Sequence, residues 1–428
     1  MIQTSNSRRE APRKGQSEKW PPHVPSAMVN MQTATQSLLE NAFLERDNIV
    51  VLSVHNSADI YGASRCLHRM LELFARSGHE IHVVLPADGP LTELLQNSGI
   101  KVHIFPFLAV IERLNLGSLR GKIAFFVHFW LSVLWLVVLI VKLNVDVVHS
   151  NTAVLPAPAL ATTLTRRRHL WHIREFFSEY PGMWRHYQKY MWRFSDKIIT
   201  ISSAVQRQFE PRFQEKCTLV YDGLDADAAS VDLESAHRFR ASVGNPKFLA
   251  GVVGRIKWVR KGQEVLIRAA AILAEEHPEA RYVIVGSAAP GNEDHLIRLQ
   301  QLIKDLKMED KILITGEITN VHDVYAALDV TVVPSILPEP FGCVVMESMA
   351  AGTPVVASRC GGIAEQIVDG VTGFLFEPGD ERELASALDR LMVDPALRSR
   401  FAQASRERCA EKFGIRTFHE KLAEVFRG

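Results

Sequence analysis

From Ile49 onward, short apolar runs alternate with polar turns and amphipathic stretches. Residues 49–54 form the first run. A turn with Asn56, Ser57, Asp59 and Gly62 follows, then a helical pattern from about Ser64 to Arg76 that stops at Gly78. The cycle recurs as strand 80–85, helix 91–97, Gly99 and strand 101–105. Short apolar runs bounded by turn residues read as buried strands. Strands alternating with helices imply a parallel sheet covered on both faces. Residues 146–150, 169–173, 197–202 and 218–221 extend this set, and 222–246, rich in Asp, Ser and Ala, read as a domain junction.

The second half repeats the pattern, with predicted strands at 248–253, 281–285, 312–314, 330–333, 355–357 and 374–376. Helices are predicted between them at 263–277, 294–307, 323–327, 343–351 and 364–368, and after them at 381–392 and 395–412. A last helix, 416–426, carries Phe418, Leu422, Val425 and Phe426 on one stripe. Residues 1–47 break the rhythm. They are polar and basic, with Arg8, Arg9, Arg13, Lys14 and Lys19 before Pro21, Pro22 and Pro25, and read as a disordered tail. The expected division is a tail at 1–47, α/β domains at 48–235 and 236–412, and a closing helix at 413–428. No Gly-x-Gly-x-x-Gly follows a strand in either half. Two such sheets face ligands with the C-terminal ends of their strands, so a cleft between them is the expected site.

Two segments carry more apolar or aromatic surface than this scheme needs. Residues 123–141 are nineteen residues without a formal charge, flanked by Lys122 and Lys142. That length can span a bilayer. A span would, however, place neighbouring strands of one sheet on opposite sides of the membrane. The readings kept are a buried helix and a helix lying in the membrane interface. The stretch 184–193 joins Trp184, Tyr187, Tyr190 and Trp192 to Arg185, Lys189 and Arg193. It is either a helix covering the sheet or a surface for a lipid-linked acceptor or a membrane face.

The 428 residues carry 49 Lys and Arg against 48 Asp and Glu, a net charge of +1. That argues against a general polyanion binder, and nucleic acid is not an expected partner. The five cysteines are scattered and form no Cys-x-x-Cys. Neither a disulfide framework nor a zinc site is expected, and a reducing cytoplasm fits. Residues 1–47 contain no apolar core of the secretory type.

Two stretches carry candidate chemistry. The loop from Gly254 through Arg255, Lys257, Arg260 and Lys261 to Gly262 puts four cations between a strand and a helix. Such a loop suits a diphosphate, with Arg as a fork and Lys as a point charge; an ordinary solvated loop is the plain alternative. In Pro338-Glu339-Pro340-Phe341-Gly342-Cys343-Val344-Val345-Met346-Glu347, the Pro-Phe-Gly turn puts Glu339 on a loop and Glu347 about one turn into a helix. The free N–H groups at that helix start favour an anion between the two acceptors. The spacing alone names no reaction, and a hydrolase pair stays open. Asp225-Ala226-Asp227 matches an Asp-x-Asp pattern but falls in the junction and is read as coincidence. His55, His149 and His172 lie near strand ends, no metal-ligand spacing joins them, and they are read as structural.

The segment Glu339-Pro340-Phe341-Gly342 through Glu347 resembles the Glu-x7-Glu motif of retaining glycosyltransferases with the GT-B fold, family 4 (glycosyltransferase group 1). Gly254-Arg255 with Lys261-Gly262 is similar to that family's diphosphate loop. Ala351-Gly352-Thr353-Pro354, Gly361-Gly362-Ile363-Ala364-Glu365 and Asp369-Gly370-Val371-Thr372-Gly373 look like its C-terminal run. Tyr61-Gly62-Ala63-Ser64 and Tyr221-Asp222-Gly223-Leu224-Asp225 resemble its N-terminal and junction signatures. The resemblance implies an N-terminal acceptor domain, a C-terminal donor domain and a last helix packing back on the first. It implies that Arg255 and Lys261 hold the donor diphosphate and stabilise the leaving nucleotide. Glu347 would take the ribose hydroxyls, and Glu339 the donor sugar. Gly62, Gly254, Phe341, Gly342 and Cys343 would line the donor site.

The implied activity is metal-independent, cofactor-free, retaining transfer of a sugar from a nucleotide diphosphate-sugar to a cell-surface glycan or lipid-linked acceptor. The expected place is the cytoplasm, at the inner face of the membrane. A nucleotide-sugar epimerase of the same fold and a non-catalytic nucleotide-sugar-binding partner of a glycan assembly complex are the alternatives. Two positions depart from the family. In Trp171-His172-Ile173-Arg174-Glu175, Arg174 occupies the slot where many relatives have His. An Arg cannot shuttle a proton near neutral pH, so Arg174 is read as binding a donor sugar or an acceptor phosphate instead, and His172, Arg174 and Glu175 are assigned to the acceptor or donor side. Tyr61 stands where relatives often have a second Gly.

Overall fold

The computed structural model describes residues 48–111, 118–177, 181–225, 231–288 and 291–427. The predicted tail 1–47 lies outside them, as do Ala226 and Asp227 of the Asp-x-Asp pattern.

A run such as Val-Val-Leu-Ser-Val in β1 (Val50–Val54) needs cover on both faces, which crossover helices supply. The first half follows this course: β1, α1 (Gly62–Arg76), β2 (Glu80–Leu85), α2 (Pro90–Asn97), β3 (Lys101–Ile104), α3 (Leu119–Lys142), β4 (Val147–Ser150), α4 (Ala157–Thr165), β5 (Arg168–Ile173), α5 (Pro181–Phe194), β6 (Lys197–Thr200), α6 (Ser203–Arg207) and β7 (Cys217–Leu219). Its seven strands pair in parallel, ordered β3-β2-β1-β4-β5-β6-β7.

After α7 (Leu233–Ser242) come β8 (Phe248–Val253), α8 (Gln263–Leu273), β9 (Ala280–Val285), α9 (Glu293–Asp305), β10 (Ile312–Gly316), α10 (Val321–Ala327), β11 (Val330–Val333), α11 (Cys343–Ala351), β12 (Val355–Ser358), α12 (Ile363–Gln366) and β13 (Gly373–Phe376). These six strands are also parallel, ordered β10-β9-β8-β11-β12-β13. Then α13 (Glu381–Val393), α14 (Pro395–Phe413) and α15 (Ile415–Arg427) close the chain. In both sheets the strand order reverses at the first strand, between β1 and β4 and between β8 and β11. A crevice opens beyond the strand ends at such a reversal.

The chain passes between the sheets twice, side by side. Leu224 N–H donates to Phe413 O (2.8 Å), and Ile415 N–H to Leu224 O (3.0 Å). The α15 stripe of Phe418, Leu422, Val425 and Phe426 is buried with Val51, Leu67 and Phe74 of the first sheet domain. Arg168 Nη1 holds the last turn through Phe426 O (2.6 Å). A Cβ on Gly223 would lie 2.4 Å from Phe418 Cβ, so the crossing needs its glycine.

One expectation changes, and two open readings narrow. The junction 222–246 contains α7, because Asp232 caps a helix through Glu234 N–H rather than solvating a linker. The α3 helix is not simply buried. Val133, Leu136 and Ile140 pack under the sheet, whereas Phe126, Leu134, Val138 and Val141 are exposed. In α5 the aromatic side faces inward. Trp184, Tyr187 and Met191 are buried, and Tyr187 OH donates to Ala153 O (2.5 Å). That is the covering-helix reading, and it leaves Arg185, Lys189 and Arg193, not the aromatics, outside.

Candidate active site

The two crevices meet in one cavity of about 810 Å³. Its second-domain wall grows from the ends of β8 and β11. Gly254 (φ +135°) and Gly262 (φ +64°) adopt conformations that favour glycine, and a Cβ on Gly262 would lie 1.8 Å from Pro334 O. The cationic loop is thereby pressed onto the β11 exit. Lys261 Nζ reaches Glu339 Oε1 at 2.6 Å, and Ser335 Oγ donates to the same oxygen (2.8 Å). Burial lowers the Lys257 pKa, helped by Arg255, Arg260 and Lys261 crowding around it. Gly361 and Gly362 wrap the Glu339 turn, where Gly362 N–H donates to Glu339 O (2.8 Å). Gly342 caps α11, and Cys343 and Val344 of its first turn line the cavity, so unpaired helix N–H groups open there. Glu347, one turn on, is buried, accepts from Tyr325 OH (3.0 Å) and faces Arg69 Nη2 of α1 at 3.9 Å.

The first-domain wall is a polar chain. Arg174 Nη1 donates to both Asp222 oxygens (2.8 and 2.7 Å), and its Nε donates to Asn151 Oδ1 (3.0 Å). Burial works against the guanidinium charge, but Asp222 outweighs it and raises the Arg174 pKa. Asn151 Nδ2 lies 3.2 Å from His55 Nδ1, and His55 Nε2 lies 3.0 Å from Ser64 Oγ, which donates to Asp59 Oδ1 (3.0 Å). These partners fix the tautomer: His55 accepts at Nδ1 and carries its proton on Nε2. Burial, with Arg174 adding to it, lowers the His55 pKa to about 4, so the ring is neutral at pH 7. Burial pushes the Asp59 carboxyl up, but hydrogen bonds from Ser57, Tyr61 N–H and Ser64 leave it below its usual range.

The walls touch at named points. The Arg255 guanidinium carbon lies 3.6 Å from the Tyr61 ring centroid, and Cys66 Sγ lies 3.7 Å from Cys343 Sγ. Glu365 in α12 accepts from Ser203 and Ala204 N–H at the start of α6 (2.8 and 2.6 Å).

Two family models match consecutive parts of the chain: "Glycosyltransferase Family 4" over residues 60–228 and "Glycosyl transferases group 1" over 234–408. The crystal structure of Anabaena Alr3699/HepE in complex with UDP-glucose matches at TM-score 0.75 and 26% identity, covering 89% of this chain and 100% of that one. The chain belongs to the GT-B glycosyltransferases. WaaG, a glycosyltransferase involved in lipopolysaccharide biosynthesis, shares the fold at TM-score 0.64 and 17% identity. A D-inositol 3-phosphate glycosyltransferase of Nocardiopsis dassonvillei is 32% identical over 244 residues, 55% of this chain and 56% of that protein. An uncharacterised glycosyltransferase of Methanocaldococcus jannaschii is 30% identical over 242 residues, 54% and 60% of the respective lengths. The chain thus spans a little over half the length of these curated relatives.

In this GT-B cleft, Gly62, Arg174, Gly254, Arg255, Lys261, Glu339, Phe341, Gly342, Cys343 and Glu347 line one cavity. His172 and Glu175 are not among its described lining residues. His172 is buried and meets His149 (3.3 Å), while Glu175 accepts from Ala153 and Arg174 N–H. Burial lifts the Glu175 pKa to about 7. The Phe341 ring is buried against Tyr221 and Phe413, leaving its backbone to the cavity. A Cβ on Gly62 would meet nothing within 4 Å, so its missing side chain leaves open space. Sequence reasoning missed Arg69, Asp59 and Tyr325, and gave Asp222 no role. Nothing local to Asp222 shows that its partner is 48 residues upstream. Two described clusters bring three potential metal-ligand atoms within 4.8 Å of one another: Cys66, Asp222 and Cys343, and Glu276, His277 and Asp389. Arg174 engages both Asp222 oxygens in the first, and His277 contacts Asp389 (2.7 Å) in the second.

Proposed function

We propose that the chain transfers a sugar from a nucleotide diphosphate-sugar to a glycan or lipid-linked acceptor, with retention and without a metal, at the inner face of a membrane. One observation carries the reading. The Arg255–Lys261 loop and the Glu339–Glu347 segment converge on one cavity at the β8/β11 reversal, with helix N–H groups between the two glutamates. The UDP-glucose complex of the similar HepE supports a nucleotide-sugar donor. Arg255 and Lys261 take the departing diphosphate, Glu347 the ribose hydroxyls and Glu339 the donor sugar. The bond from the anomeric carbon to the diphosphate oxygen breaks. The acceptor oxygen attacks from the same face, and its proton passes to the leaving phosphate oxygen. Preorganised charge at a leaving group is commonly worth about 10²–10³ in rate per donor.

Product analysis with a panel of nucleotide-sugars, with and without lipid-linked acceptors, tests this. Lys261→Ala and Glu339→Ala should lose donor turnover while staying folded; full turnover in both contradicts the reading. Interconversion of the donor sugar without acceptor would favour the epimerase. The exposed apolar side of α3, flanked by Arg120, Lys122 and Lys142, supports an anionic membrane surface as its neighbour. Flotation with anionic liposomes, weakened by Phe126→Asp with Leu134→Asp, is the expected result. A wholly soluble protein counts against it.

A further inference from the structure

We infer that Tyr61 is a positioning residue for Arg255: its ring reaches across the cleft and sets the plane of the guanidinium that meets the donor diphosphate. This rests on the donor reading above and adds to it a residue from the opposite domain. The guanidinium carbon lies 3.6 Å from the ring centroid, in contact with the electron-rich face. Among the described residues the Arg255 side chain makes no hydrogen bond or ion pair. A guanidinium that lies over a ring with its flat face keeps its in-plane N–H groups free to fork onto phosphate oxygens. Lys261 is held differently, with its charge directly on Glu339 at 2.6 Å.

The ring itself is fixed at its base. Tyr61 stands at the start of α1, and its N–H donates to Asp59 Oδ1 (3.2 Å). Asp59 is joined through Ser64, His55 and Asn151 to Arg174. The ring is half exposed and lines the cavity, and neighbouring Gly62 leaves the space beside it open. The stack therefore forms only when the two domains meet, so closure of the cleft and orientation of Arg255 are one event.

Titration calorimetry of the full chain with inorganic pyrophosphate tests this on the wild type, Y61A, Y61F, R255A and Y61A/R255A. Y61A should weaken pyrophosphate about 3- to 30-fold. Y61F, which keeps the ring face, should restore binding to within about twofold. Y61A should add nothing in the R255A background, a coupling that a merely structural role would not produce. Unchanged melting temperatures exclude misfolding. Wild-type-like binding by Y61A, equal damage by Y61F, or additivity with R255A overturns the inference while the donor reading stands. No pyrophosphate binding by the wild type overturns both.

Discussion

On the second-domain wall of the cleft, the charges come from two short segments, and except for the buried Glu347 they stay within reach of solvent; the Lys261 side chain is 30% exposed. On the first-domain wall, Arg174 and Asp222 are 4% and 3% exposed and come from different strand ends, as do Asn151 and His55. A partly exposed Lys–Glu contact can exchange partners when an anion arrives. The buried Arg174–Asp222 pair, although Arg174 Nη2 has no partner among the described residues, cannot do so without a large desolvation cost. The charges of the second wall are thus free to exchange partners, whereas the first presents a fixed surface.

The largest test of that contrast is Arg174→Ala. It leaves the Asp222 carboxylate buried and unpaired, and should cost about 3–5 kcal/mol of stability by denaturant unfolding. Lys261→Ala on the other wall should shift stability by less than about 1 kcal/mol. Equal effects would erase the distinction.

Acid should separate the walls next. His55, His149, His169 and His172 lie in the first domain, and burial lowers all four pKa values, His169 to about 3. Above pH 6.5 both folded and unfolded rings are neutral, and the native contribution is fully present. As pH falls from 6.5 toward 4, the unfolded chain takes up protons that the fold excludes, so stability falls. His55 alone contributes about 3 kcal/mol to that slope. Thermal melts from pH 7 to 4.5 should show the loss, and His55→Gln should flatten it. A pH-independent melting temperature contradicts it.

The legibility of the molecule follows the same line. Both sheets and the cationic and glutamate segments could be read because their signals are local: apolar runs, glycines and carboxylates at fixed spacing. Arg174 was visible as a departure, but its pairing with Asp222 depends on how β5 and the crossing segment meet, which no local pattern encodes. Tyr61 was visible only as a departure from a second Gly, and its stacking on Arg255 requires both domains. For α5, the Trp and Tyr residues that suggested a membrane face find partners inside, at Ala153 O and Gln208 O.

The smallest effect concerns Gly62, whose φ is negative and whose added Cβ would meet nothing. Gly62→Ala should change stability by no more than about 0.5 kcal/mol. It should weaken nucleotide-sugar binding by narrowing the space beside Tyr61, as calorimetry would show. A stability loss without a binding change would make Gly62 a backbone requirement instead.

The central claim is that the second-domain wall holds a nucleotide diphosphate-sugar. Its most direct test is calorimetric titration of UDP-glucose and other nucleotide-sugars into the full chain, Lys261→Ala and Glu347→Ala. The account predicts saturable binding of at least one nucleotide-sugar, lost or strongly weakened in both variants. No binding by the wild type across the panel, or binding indifferent to both substitutions, would contradict it.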